Sequence, residues 1–177
     1  EQAPWPDHLR DFRDAITAAS THALAAFEGL EASLSRSNPV LGAYRALGRL
    51  TLAVEALYPV AFMLPPVNRF FLCEPQRSDE AFQTSLLGAD PNREDTGVMH
   101  AGNGPRERGG FSLYVPENLA GASAPLPLVV ALHGGSGHGR TFLWSWLREA
   151  RSRGAIVIAP TSRGETWDLM SPEADAA

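Results

Sequence analysis

The stretch LVVALHGGSGHGRT, residues 128–141, decides the fold. Residues 128–132 are apolar without interruption, which is typical of a strand buried on both faces of a parallel sheet. Four glycines then fall among the seven residues 133–139, where they let the backbone turn sharply and approach a ligand closely. From Thr141 onward one helix face is apolar, at Phe142, Leu143, Trp146, Leu147 and Ala150. A strand, a glycine-rich loop and a helix in this order predict a site whose free backbone N–H groups meet negative charge.

A second apolar strand is predicted at residues 155–159, after Gly154 ends the helix. Two buried strands joined by one helix form a βαβ unit with a parallel sheet, so the predicted fold class is α/β. A strand hairpin at 98–101 and 111–115 precedes this unit. We expect burial at Val129, Val130, Leu132, Ile156 and Ile158. So few strands cannot bury both faces of a sheet, which predicts that the chain is the front part of a larger domain.

An αα-hairpin is predicted at the start of the chain. Apolar residues recur at helical spacing over residues 6–34. Asn38 suits the N-cap of a second helix, and Pro39 suits its first position. That helix ends before Pro59, and the short turn between the helices makes a hairpin. We expect its apolar stripes to lie in a core, covering a sheet or a neighbouring subunit.

A connecting segment is predicted at residues 65–96, which are rich in Pro, Asp, Asn, Arg and Glu. It contains a short helix near residues 79–87. The predicted organisation is therefore a helical hairpin at 1–64, the connecting segment, and an α/β region at 97–177 whose last residues, 173–177, begin another helix.

The composition excludes several classes of function. The net charge is −5, every basic residue is an arginine, and the arginines are scattered, so no nucleic-acid partner is predicted. Cys73 is the only cysteine and the five histidines lack metal-ligand spacing, so neither a metal nor another cofactor is predicted. The most apolar stretch, residues 50–67, contains Glu55 and three prolines, which disfavours a membrane span. The first residues lack the order of a signal peptide.

The glycine-rich loop has three candidate roles, and the first is a phosphate loop. Gly134, Gly139 and Thr141 fit the spacing G-x4-G-K-[ST], but Arg140 stands where the motif requires lysine. A planar guanidinium does not replace the compact ammonium charge between phosphates. The following strand also ends without an acidic residue for Mg²⁺.

The second candidate role makes Ser136 a nucleophile. Residues 134–138 match the elbow motif G-x-S-x-G except at the last position. The serine of that motif follows its strand almost at once, whereas His-Gly-Gly intervenes here.

The third candidate role is an oxyanion hole. Backbone N–H donors stabilise the negative oxygen of an acyl-transfer intermediate by about 3 kcal/mol each. A His-Gly-Gly loop after a buried strand has this role in the α/β-hydrolase fold. PLPLVVALHGGSGHG, between FSLYVP and IVIAPTSRGETWD, resembles the front of a serine hydrolase of the phospholipase/carboxylesterase type. It is also similar to polyhydroxyalkanoate-depolymerase-like esterases, and the resemblance covers about residues 110–170.

The resemblance implies roles within the loop. Gly135 is the implied N–H donor of the oxyanion hole, and Gly134 and Ser136 shape the turn. His133 is implied to brace the loop and not to be the base of the catalytic triad.

The resemblance also implies residues near the substrate pocket. Trp167 lies beside the pocket or serves in packing, and both roles remain open. His138 is either a substrate contact or a solvated loop residue. For Asp168 a hydrogen bond within the loop is expected in preference to catalysis.

The activity that the resemblance implies is hydrolysis of a small-molecule or lipid carboxylic ester through an acyl-enzyme, with no metal or cofactor. The triad order of the fold is serine, acid, base, and no G-x-S-x-G is present, so we expect the triad after residue 177 and no activity from this chain alone. The N-terminal helices are a candidate surface for a homo-oligomer. The alternative function is a non-catalytic nucleotide- or anion-binding module that uses residues 134–141 as a nest of N–H groups.

Overall fold

The computed structural model describes residues 5–119, 125–168, 170 and 175. The helices are α1 (Arg10–Ser33), α2 (Pro39–Leu57), α3 (Pro65–Phe70), α4 (Glu80–Leu87) and α5 (Gly139–Arg153), with short 3-10 turns at Asp7–Leu9, Tyr58–Val60 and Gln76–Ser78. The strands are β1 (Gly97–Ala101), β2 (Phe111–Val115), β3 (Leu128–Val130) and β4 (Ile156–Pro160). The chain divides into two compact units, Glu1–Asn68 and Arg69–Ala177. Within the described ranges, no helix combines the length and the apolar character that crossing a membrane requires.

The second unit is built on a four-stranded sheet with the order β1-β2-β4-β3. Strands β3 and β4 are parallel and α5 connects them, so the predicted βαβ unit is present. The predicted strand hairpin is also present, and β2 is antiparallel to both β1 and β4. The general α/β class is therefore observed, but the sheet is mixed, and the expectation of a parallel sheet was correct only for β3 and β4.

The prediction that residues 128–132 are buried on both faces is wrong. Leu128, Val130 and Leu132 expose 63%, 59% and 55% of their surface, whereas Ala131 is 2% exposed. Strand β3 lies at one end of the strand order, and its Val129 shares a cleft with residues of α5. Val129 and Ala131, on the side of β3 toward this cleft, are half-buried and buried, whereas Leu128, Val130 and Leu132 on the other side are exposed, so burial alternates as in a half-buried strand.

Strand β4 shows the same alternation. Val157 and Ala159 are 1% and 0% exposed, whereas Ile156 and Ile158 are half-buried. The predicted burial of the two isoleucines was therefore wrong. The face of β4 that packs under α5 carries the smaller side chains of Val157 and Ala159, and the isoleucines lie on the other face.

Helix α5 begins at Gly139, two residues before the predicted start at Thr141, because the residue before Gly139 caps its first turn. Gly154 ends the helix with a φ of 63°, as predicted. Trp146 was assigned to the inner face, but it is 39% exposed and Trp144 is 9% exposed. The buried apolar side chains of α5 are Leu143, Trp144, Leu147 and Ala150.

The predicted helix caps outside α5 are also present. The side chain of Asn38 accepts a hydrogen bond from the N–H of Leu41, and Pro39 is the first residue of α2. Helix α4 lies at the predicted short helix, with Asp79 as its N-cap. The helix predicted at residues 173–177 lies outside the described residues, apart from Asp175.

Helices α1 and α2 form the predicted hairpin, but small residues make their contact. A Cβ atom added at Gly42 would lie 2.7 Å from the Cβ of Ser33, and one added at Gly29 would lie 3.3 Å from the Cβ of Ala46. The expectation that the apolar stripes lie in a core is wrong for the large side chains, because close helices leave room only for small ones. The exposed ones include Leu24, Phe27, Leu30, Leu34, Val40, Tyr44, Leu47 and Leu50.

Candidate functional site

In the loop between β3 and α5, the residue with a left-handed backbone is Ser136 and not one of the glycines. Ser136 has a φ of 57°, in the left-handed region that glycine normally occupies. Its N–H donates to the carbonyl oxygen of Glu165 at 2.6 Å, and the N–H of Gly137 donates to that of Gly134 at 3.0 Å. These bonds close the turn and hold it against the segment that follows β4.

The four glycines of the loop divide into two pairs. A Cβ atom at Gly137 would lie 2.8 Å from the carbonyl oxygen of Gly134, and one at Gly139 would lie 2.2 Å from that of Ala159. Gly137 and Gly139 are thus required for close approach within the chain itself. At Gly134 and Gly135 an added Cβ would meet no heavy atom within 4 Å, so these two border open space.

His133 is buried beneath this turn, with 2% of its surface exposed. Its Nε2 accepts a 3.1 Å hydrogen bond from the backbone N–H of Ser162. This assigns the ring proton to Nδ1, which donates to the carbonyl oxygen of Gly134 at 2.7 Å. The ring therefore ties the loop to the segment after β4 with both of its nitrogens.

Trp167 packs on the same ring. Its Nε1 donates to the carbonyl oxygen of His133 at 2.8 Å, and the two ring centroids lie 4.9 Å apart. Trp167 is half-buried and also lines a cleft of about 490 Å³ formed by residues 163–168 and Asp175. The indole thus packs against His133 and also lines an open cleft.

Arg108, from the connection between β1 and β2, joins the two loops. Its guanidinium donates to the carbonyl oxygen of Gly137 at 2.7 Å, to Oγ of Ser162 at 2.5 Å, and to the carbonyl oxygen of Gly164. A planar fork with several N–H donors suits this bridging. Sequence reasoning missed Arg108, since one arginine in a polar loop carries no local signal of its distant partners.

His138 is the N-cap of α5. Its Nδ1 accepts from the N–H of Arg140 at 3.1 Å, and its Nε2 lies 2.8 Å from the carbonyl oxygen of Glu107. Both ring nitrogens contact backbone groups of the chain, which leaves neither for a substrate. The structure thus assigns His138 a capping role, which neither sequence interpretation included.

A chain of hydrogen-bonded polar groups holds the first residue of α5 in place. The N–H of Gly139 donates to Oγ1 of Thr161 at 2.9 Å, and this hydroxyl donates to Oδ1 of Asn103 at 2.7 Å. Nδ2 of Asn103 donates to Oγ of Ser112 at 2.7 Å, which lies 2.7 Å from Nδ1 of His100. Asn103, Ser112 and Thr161 are each at most 4% exposed, so the loop and the start of α5 rest on a buried hydrogen-bond network. Sequence reasoning missed these residues as well.

The backbone N–H groups of Gly134 and Gly135 have no recorded acceptor in the described part of the chain. Both residues are exposed. The amides of Ser136, Gly137, Gly139 and Arg140 are, in contrast, all hydrogen-bonded. The N–H groups of His133 and His138 also lack an acceptor among the described residues, but His133 is buried and His138 is half-buried, so the two exposed neighbouring donors of the loop are those of Gly134 and Gly135.

Ser162 and His133 form a second serine–histidine contact, besides that of Ser112 and His100, with Oγ of Ser162 3.4 Å from Nε2 of His133. Their arrangement does not activate the hydroxyl. The lone pair of Nε2 already accepts from the N–H of Ser162, and the hydroxyl donates to the carbonyl oxygen of Gly164 at 3.0 Å. Ser162 is also 0% exposed, so a substrate could not reach it. The other candidate serine, Ser136, has no recorded hydrogen bond from Oγ to any described residue.

Asp168 contributes to the loop after β4. Its N–H and that of Arg163 donate to the carboxylate of Asp175 at 2.8 and 2.7 Å, and they hold the pKa of that carboxyl below its ordinary value. The Asp168 carboxylate accepts from the N–H of Met170 at 2.9 Å.

Beside these residues lies a second cleft of about 400 Å³, lined by Arg108, Ser136, Arg163, Gly164 and Glu165.

No protein-family model, no curated protein and no solved structure matches the chain.

Proposed function

We propose that this chain carries the oxyanion-stabilising loop of a serine hydrolase that cleaves carboxylic esters through an acyl-enzyme. The observation that carries the proposal is the pair of exposed, open N–H groups at Gly134 and Gly135. They lie in the loop between the third strand and the helix that follows it. From this position α/β-hydrolases supply an N–H donor to the oxyanion.

The rigidity of the loop supports the same role. Oxyanion donors lower the barrier because they are already in place when charge develops, so no reorganisation is needed. His133 within the loop, and Trp167 and Arg108 from outside it, donate hydrogen bonds to backbone carbonyl groups of the loop. The conformation is therefore set before any substrate binds.

His133 does not serve as the general base in this proposal, because both of its ring nitrogens are engaged with backbone groups. The nucleophile is likewise not Ser162, which is inaccessible and unactivated. The proposed reaction therefore takes a serine, a base and an acid from outside the loop. The loop contributes stabilisation of the tetrahedral intermediate, of about 3 kcal/mol for each donor.

A nucleotide- or phosphate-binding loop is the second candidate, since two open amides also suit a phosphate oxygen. A phosphate nest, however, uses the amides at the start of the helix. Here those of Gly139 and Arg140 bond to Thr161 and His138, and Gly139 packs against β4. These contacts favour the ester hydrolase.

A fluorophosphonate probe tests the proposal on the complete natural protein. We expect covalent labelling of one serine, with a parallel loss of p-nitrophenyl butyrate hydrolysis. A protein that remains unlabelled, and whose melting temperature rises with ATP or inorganic phosphate, would be an anion-binding module instead.

A further inference from the structure

We propose that the exposed apolar face of the α1–α2 hairpin binds a second copy of this chain, so that four helices pack in a symmetric dimer. This hairpin face consists of Leu24, Phe27, Leu30, Leu34, Val40, Tyr44, Leu47 and Leu50. Each of these side chains exposes between 36% and 77% of its surface. The proposal is independent of the proposed hydrolase activity.

The large side chains of both helices lie on the same side of the hairpin. The pairs Gly29–Ala46 and Ser33–Gly42 show that the helices are antiparallel. At about 100° per residue, the centre of the large side chains of each helix lies roughly 125–135° from its contact stripe, in the same sense of rotation. For antiparallel helices, equal rotations in the same sense bring both sets to one side.

The area of the hairpin face suits a stable interface. The eight side chains together expose roughly 900 Å², compared with about 800 Å² per partner in a standard interface and about 300–600 Å² for the largest apolar patch of a typical monomer. Covering this face with an identical one would therefore bury enough apolar surface for a specific dimer. The contact would be isologous, with each copy contributing the same residues.

The distribution of charge favours a second copy over a lipid surface. Helices that lie on membranes flank their apolar face with lysine or arginine. Arg45 and Arg49 of α2 lie about 155–165° from the centre of the apolar side chains of that helix, on the opposite side of the hairpin. On α1, Glu31 lies among the apolar side chains of the hairpin face, between those of Phe27 and Leu24. Arg13 lies on the same side of α1, about three turns before Leu24, and is paired with Asp14. A carboxylate within the face, and arginines that are either paired or on the opposite side, differ from the basic border of a membrane-bound helix and suit a second copy, as in a four-helix bundle.

Sedimentation velocity at micromolar concentrations tests the proposal, with Phe27→Arg and Leu47→Arg as the disruptive variants. Both side chains are exposed, so folding should be retained, which far-UV circular dichroism checks. Two matched controls place the same charge elsewhere. Leu41→Arg alters an exposed leucine of α2 outside the hairpin face, and Val130→Arg alters the exposed side of strand β3.

We expect a dimer for the wild-type chain and for both controls, and a monomer for Phe27→Arg and Leu47→Arg. A wild-type monomer, or a dimer that only Val130→Arg abolishes, would overturn the proposal. Cosedimentation with vesicles of phosphatidylcholine and phosphatidylglycerol provides a second measurement. A monomer that binds these vesicles, and loses binding in the Phe27→Glu variant, would assign the hairpin face to a membrane surface instead.

Discussion

The indole Nε1 of Trp167 donates a 2.8 Å hydrogen bond to the carbonyl oxygen of His133, and the rings of these residues lie 4.9 Å apart. This contact joins His133, in the β3–α5 loop, to the segment after β4, 34 residues along the chain. Because His133 is also bonded to Ser162 and Gly134, one tryptophan completes the bracing of the open donors.

Replacing Trp167 by phenylalanine keeps most of the ring packing but removes the N–H donor. The carbonyl oxygen of His133 then loses this partner, and we expect a loss of about 1–3 kcal/mol in the free energy of unfolding. Urea denaturation measures this loss. Trp146→Phe is the matched control, since Trp146 is 39% exposed, and a loss of equal size there would contradict the specific role of Trp167.

Replacing Arg108 by lysine keeps the charge but cannot bridge Gly137, Ser162 and Gly164 at once. We expect hydrogen exchange in the peptide covering residues 133–139 to become about tenfold faster, which corresponds to about 1.4 kcal/mol of local opening. Exchange mass spectrometry measures this change. Arg106→Lys, an exposed neighbour, should leave exchange unchanged, and equal exchange in both variants would rule out the bridging role.

Arg151 and Arg153 of α5 provide a comparison between a buried and an exposed ion pair. Arg151 is 2% exposed, and its Nε lies 3.0 Å from Oε1 of Glu117, whereas the pair of Arg153 with Glu149 is largely exposed. Arg151→Met leaves a carboxylate without this partner and should cost about 3–5 kcal/mol. Arg153→Met should cost at most about 1 kcal/mol. Equal melting temperatures for the two variants would contradict this ranking.

The pKa of the Cys73 thiol is raised above its ordinary value, first by burial and then by its hydrogen bond to the Glu149 carboxylate. Only the thiolate is alkylated, so reaction with iodoacetamide should require a higher pH than for free cysteine. Glu149→Gln removes the neighbouring negative charge, which should shift the alkylation profile to lower pH. Since Cys73 is the only cysteine, mass spectrometry follows the reaction directly. An unchanged profile in Glu149→Gln would show that the carboxylate has no influence.

Local signals in the sequence predicted the elements of the fold. Apolar runs located β3 and β4, Asn38 and Pro39 located the start of α2, and Gly154 located the end of α5. Such signals depend only on residues that are close together along the chain, so they can be read from the sequence. Burial depends on what covers each face, and for this reason the exposure of Val130 and of the hairpin face was not predicted.

In the candidate site, too, local features were predicted from the sequence and tertiary contacts were not. The β3–α5 loop was located from its glycines, but the residues that hold it come from distant segments. Arg108, Asn103 and Thr161 are polar residues without a motif, and tertiary structure alone brings them together. The cap formed by His138 was missed because a histidine before a glycine is an uncommon start for a helix.

The backbone N–H of Gly135 is the group on which the account depends, and removing that N–H tests it most directly. Gly135→Pro in the complete natural protein deletes the donor, and Gly135→Ala retains it, since an added Cβ meets no heavy atom within 4 Å. Circular dichroism and the melting temperature should stay near the wild-type values in both variants. The measurement is kcat for hydrolysis of p-nitrophenyl butyrate. We expect kcat to fall about 100- to 1,000-fold in Gly135→Pro, with a change of only a few fold in Gly135→Ala. A folded proline variant that hydrolyses the ester at the wild-type rate would contradict the assignment of this loop as an oxyanion hole.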